Sequence, residues 1–116
     1  MTWSTPQSLN KEVPSISGSE WESLVIQSTV PVMVMFTSVW CGPCRVIDPV
    51  LDQMDVQFTD RFKFYRIDIE KESDIANRYF VRSVPTTIVF LHGNDVARVP
   101  GLDIQGLWDI VDRYAN

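Results

Sequence analysis

The longest unbroken apolar stretch in the chain is Val32-Met33-Val34-Met35-Phe36, directly after Pro31. With no polar residue at either parity, it reads as a strand buried on both faces of a sheet. Upstream, a first strand is expected near Val13–Ile16. Ser19-Glu20-Trp21-Glu22 has the form of a capping box and opens a helix with Trp21, Leu24 and Val25 on one face, closed by Pro31. Downstream, Ile47, Val50/Leu51, Met54 and Phe58 recur at helical spacing, with Pro49 expected to kink the helix. Phe62–Ile69 reads as a strand, and Ser73–Phe80 as a short helix with Ile75 and Tyr79 four apart. Thr87–Leu91 is another apolar strand. His92-Gly93-Asn94-Asp95 is turn chemistry, and Val96–Val99 returns as the partner strand of a hairpin. Pro100-Gly101 breaks that strand, and Asp103 can cap a last helix carrying Ile104, Leu107, Trp108, Val111 and Tyr114. The order β-α-β-α-β-α-β-β-α implies an α/β fold, a central mixed sheet with helices on both faces.

Residues 1–12 are polar and aperiodic, which sets apart a flexible N-terminal tail from a single domain over residues 13–116. The tail has none of the charged, apolar, small-residue order of a secretory signal. At 116 residues, 45% hydrophobic and 22% charged, the chain has the make-up of one soluble globular domain. No apolar run nears the roughly 20 residues of a membrane helix, so no membrane partner is expected. A formal charge of -5 argues against nucleic acid, whose binders gather Lys and Arg on one face.

The only cysteines are Cys41 and Cys44, and the only histidine is His92. A pair this close staples no distant segments together, so it is no disulfide framework. Two thiolates and one remote imidazole cannot close a zinc site, and Met33, Met35 and Met54 belong to apolar runs, so no metal is expected. A redox pair remains. Cys41 follows a buried strand and opens a helix, where unpaired N–H groups and the dipole favour the thiolate; such placements lower a thiol from about 8.5 to roughly 7 or below. Cys41 is the expected nucleophile. Cys44, one turn in, is the expected resolving thiol, and exchange runs through a mixed disulfide on Cys41.

Trp40-Cys41-Gly42-Pro43-Cys44-Arg45, Pro49 one turn later and Val84-Pro85-Thr86, in this order, resemble the thioredoxin family over about Val13 to Tyr114. Pro31-Val32-Met33-Val34 and the acidic balance most resemble its m-type members from plastids and their bacterial relatives. The resemblance implies a thioredoxin fold and a protein disulfide reductase with no cofactor beyond the Cys41–Cys44 disulfide. Its electrons would come from a ferredoxin- or NADPH-dependent thioredoxin reductase and pass to protein disulfide substrates. The compartment implied is the plastid stroma, or else a bacterial cytoplasm. Pro85 matches the family's cis-proline, and Trp40, Gly42, Pro43, Val84, Gly101 and Leu102 match the apolar surface that docks partners.

Three departures stand out. The buried Asp that the family carries six residues before the first cysteine is Met35 here, the second aromatic before the motif is Thr37, and the lysine facing that Asp is Arg66. Conversely Asp48, on the helical face of Cys44, replaces a residue usually small. Asp48 is either an ordinary solvated helix residue or a stand-in proton acceptor, held in the second case by Arg66. A thioredoxin-fold binding module with relaxed redox demand is the competing reading, against which the intact pair of thiols argues.

Overall fold

The computed structural model describes residues 12–115; the expected tail, apart from Glu12, lies outside the described residues. Four strands form one mixed sheet in the order β2-β1-β3-β4: β1 (Val32–Thr37), β2 (Lys63–Asp68), β3 (Thr86–Leu91) and β4 (Asn94–Pro100). β1 runs parallel to β2 and antiparallel to β3, which is antiparallel to β4. The helices are α1 (Gly42–Gln57), α2 (Ser73–Arg78) and α3 (Ile104–Tyr114).

The apolar run of β1 lies at the centre because it has an apolar side chain for each face. Alternation sends Met33 and Met35 to one side, where they are buried with Ile47, Leu51 and Met54 of α1 and Leu107 and Val111 of α3. Cys41 and Cys44 belong to this same cluster. Val32, Val34 and Phe36 face the other side, against Trp21, Val25, Ile75 and Ala76. The Trp21 indole sits edge-on to Phe90 at 5.2 Å and tilted against Tyr79 at 5.6 Å, so one ring closes that side of the sheet.

Local structure departs from the sequence pattern where a special residue intervenes. The first strand is reduced to a single parallel bridge between Ser15 and Arg66, because Pro14 brings no N–H to extend a ladder. The first helix is a 3-10 turn, Gly18–Glu20, followed by a wider five-residue turn, Glu22–Ile26. Its cap falls two residues earlier than the pattern suggests, with Ser17 N–H donating to Glu20 Oε1 at 2.9 Å. α1 continues through Pro49. The β3–β4 turn is tighter than expected: only His92 (φ 52°) and Gly93 (φ 83°) are left-handed, and β4 begins at Asn94. A Cβ on Gly93 would also come within 3.1 Å of the Ile26 carbonyl oxygen.

α2 ends at Arg78 rather than Phe80. Val81 N–H donates to Ala76 O at 2.9 Å and Phe80 N–H to Asn77 O at 3.1 Å, the paired bonds of a Schellman motif. Phe80 therefore takes the left-handed position, φ 57°, that glycine usually fills. That conformation costs a side-chain-bearing residue about 1–2 kcal/mol, and Phe80 recovers little by burial, being 69% exposed. Phe80→Gly should hold or raise the melting temperature, adding about 1 kcal/mol or less once glycine's own chain entropy is counted. A calorimetric scan of the two proteins checks this; a clear drop would mean the ring supports the fold.

Candidate active site

Register gathers the residues that the sequence singles out at one end of the sheet. Thr37 pairs with Asp68, Phe36 with Thr86, and Thr86 with Pro100. The segments that leave β1, enter β3 and leave β4 therefore emerge together, carrying Trp40–Cys44, Val84–Pro85 and Gly101–Leu102. Gly101 N–H donates to the Pro85 carbonyl at 2.8 Å, tying two of these segments directly. The Val84–Pro85 peptide is cis, and Gly101 has φ 72°, a turn geometry open to glycine. Val84 packs against the cluster that contains both cysteines.

Cys41 and Cys44 form a disulfide. Cys41 is the N-cap of α1, and its sulfur accepts the Cys44 N–H at 3.1 Å. A free donor of the helix's first turn is thus aimed at the sulfur itself. Pro43, in the first turn, removes an N–H that would have no partner there. Around this buried pair the surface is open: Trp40 is 82% exposed, Leu102 is exposed, and a Cβ on Gly42 would meet nothing within 4 Å.

Strand β2 carries a buried cation. Arg66, on β2 beside Met35 of β1, is 9% exposed. Its Nε donates to Asp48 Oδ1 at 2.8 Å and its Nη2 to Asp52 Oδ1 at 3.1 Å, while Nη1 donates to the Val13 carbonyl. Asp52 Oδ1 also accepts Val13 N–H at 2.8 Å. Asp48 is therefore not a freely solvated side chain, although its carboxylate is half-exposed. It faces a groove with Thr37, Ser38 and Val39, the residues leading into the motif. The hydrogen-bond partner of the Asp48 carboxylate is Arg66, not a cysteine. His92 stays in the hairpin turn, and no group of three or more His, Cys, Asp or Glu among the described residues is placed to hold a metal ion.

The thioredoxin family model matches residues 12–112. The chain belongs to the thioredoxin family. It is 51% identical over 82 residues to thioredoxin M4, chloroplastic, of Arabidopsis thaliana, a match covering 71% of this chain and 42% of that protein. With the chloroplastic M-type thioredoxin of Spinacia oleracea it shares 34% over 107 residues, 91% of this chain and 59% of that one. The chain thus spans about half the length of these plastid relatives. Thioredoxin 1 of Synechococcus elongatus is 33% identical over 75% of this chain and 81% of its own. The crystal structure of the Malassezia sympodialis thioredoxin superposes with a TM-score of 0.82 at 29% identity, covering 90% of this chain and 91% of that one.

Two features of this thioredoxin escape the sequence reading. Asp52 is the second acid on Arg66; Cys44, Asp48 and Asp52 are spaced four apart, and that spacing was the available signal. Thr87, directly across from Met35, buries a hydroxyl with no hydrogen-bond partner, which no pattern marks. Arg66→Met should cost about 2–3 kcal/mol, below the 3–5 of a fully buried pair because both carboxylates keep contact with water. Urea unfolding checks this. Adding Asp48→Asn and Asp52→Asn to Arg66→Met should recover most of the loss, since no carboxylate is then left without its cation.

Proposed function

We propose that this thioredoxin reduces disulfides of target proteins, with Cys41 as nucleophile and Cys44 as resolving thiol. The observation that carries the reading is the capped position of Cys41, whose sulfur accepts the Cys44 N–H in the first turn of α1 beside an exposed Trp40. Donation from that N–H and the helix dipole stabilise a thiolate there. The reduced Cys41 thiolate attacks a target disulfide, forming a mixed disulfide and releasing one target thiolate. The Cys44 thiolate then attacks the Cys41 sulfur, closing the internal disulfide and releasing the second target thiol. Two electrons and two protons pass to the target. Trp40, Gly42, Pro43, Val84, Pro85, Gly101 and Leu102 form the surface on which an extended target segment lies. A thioredoxin reductase, ferredoxin- or NADPH-dependent, returns the electrons, and the dithiol is the only redox centre required. Likeness to chloroplastic M-type relatives supports a plastid stroma, and the cyanobacterial relative a bacterial cytoplasm as the alternative.

Insulin reduction driven by dithiothreitol tests the activity, and Cys41→Ser should abolish it. Cys44→Ser should instead accumulate mixed disulfides with target proteins through Cys41. Trapping by Cys41→Ser and not by Cys44→Ser would reverse the two roles.

Met35 cannot accept a proton, so the proton of Cys44 needs another route. Asp48, one turn beyond Cys44 and fixed by Arg66, is the acid nearest along the helix and the proposed acceptor through water. Asp48→Asn should slow resolution of the mixed disulfide at neutral pH by about tenfold, at the low end of proton-transfer effects, with the first attack unchanged. Single-turnover kinetics separate the two steps, and equal resolution rates would leave Asp48 a partner of Arg66 only.

A further inference from the structure

Phe80 is an aromatic ring in a left-handed position, turned to solvent, while its neighbours Tyr79 and Val81 pack inward. The fold makes little use of it. A strained, exposed aromatic is better explained by something that docks on it. Its surroundings indicate what. The Arg82 guanidinium lies over the ring, 5.9 Å from its centroid. Arg98 of β4 donates to the Tyr79 carbonyl, which holds a second guanidinium at the same corner, and Arg78 ends α2 beside it. All three arginines are exposed, and no ion pair joins any of them to a described carboxylate. On a chain of net charge -5 this corner is a local cationic surface around one apolar ring.

The corner is close to the dithiol end. Val84 is only four positions after Phe80, at most about 14 Å of extended chain, and it packs on the cluster holding Cys41 and Cys44. We propose that Phe80, Arg82 and Arg98 dock an acidic, apolar segment of the target protein, a few residues from the disulfide being reduced. The target's apolar side chain covers the Phe80 ring, and its carboxylates meet the two guanidinium groups. This rests on the reductase reading and adds a substrate preference to it: acidic flanks favoured against the repulsion of an acidic protein.

The test uses disulfide-bonded peptides of about 14 residues, identical except for a flank of Leu-Glu-Glu or Leu-Lys-Lys. The reduced full-length protein should react with the acidic peptide about tenfold faster in low salt, and the ratio should fall toward one at high ionic strength. Arg82→Glu combined with Arg98→Glu should invert the ratio, and Phe80→Gly should lower the rate with both peptides by removing the shared leucine contact. No preference in the native protein, or a preference untouched by these substitutions, overturns the proposal. Reduction of hydroxyethyl disulfide by the native protein checks the reductase reading separately. The acidic peptide with Ser in place of both Cys, followed by fluorescence anisotropy, reads docking without chemistry, and no binding there also overturns the patch. Sedimentation gives the last arm: self-association lost on Phe80→Gly would mean that a second copy of this chain covers the ring, which counts against a target segment.

Discussion

Arg66 is a permanent charge on a strand packed between layers of apolar side chains, and removing such a group from water costs several kcal/mol unless every donor is met. Here each of the three guanidinium nitrogens is met, from two directions. α1 supplies Asp48 and Asp52, and the segment before the first turn supplies the Val13 carbonyl, while the Arg66 main chain bonds Pro14 and Ile16. One side chain thereby sets how α1 lies on β2 and where the N-terminal segment attaches. The dithiol is at the start of α1, so its position relative to the sheet depends on that attachment.

Placing the charge partners on the helix rather than on β1 changes the interior. Met35 fills the site beneath the cysteines with a thioether, and the acids lie toward the groove, where water reaches them. Among the described residues no carboxylate is buried in the cluster that holds the two cysteines. The sheet does bury the unpaired hydroxyl of Thr87, across from Met35 on β3, as Arg66 is on β2. The two carboxylates that meet Arg66 thus sit at the margin of the core.

Much of this was legible in the chain. The central strand, the two long helices and the cysteine pair announce themselves by long periodic runs and by a motif whose residues each have a local conformational reason. What the pattern misplaced were short features decided by single residues or by tertiary contact. Pro14 cut a strand to one bridge, and Trp21, seated on Phe90 and Tyr79, belongs to two short turns rather than one regular helix. The four-residue spacing puts Asp52 on the face of Asp48 but does not show the Arg66 that both meet, and Thr87 gains its meaning only from Met35 across from it. Phe80 shows the opposite limit, since nothing in its neighbours' spacing reveals that it occupies a glycine's conformation.

The bond from the Cys44 N–H to the Cys41 sulfur has a consequence for the reaction cycle as a whole. A helix cap made of the reacting atom would be a liability if the atom lost its lone pairs on changing partner. Sulfur keeps them as a thiolate, in a bond to Cys44 or in a bond to a target. In the disulfide form the start of α1 is thus capped by the sulfur itself, and the acceptor that the cap needs, a sulfur lone pair, is one that neither a thiolate nor a mixed disulfide gives up.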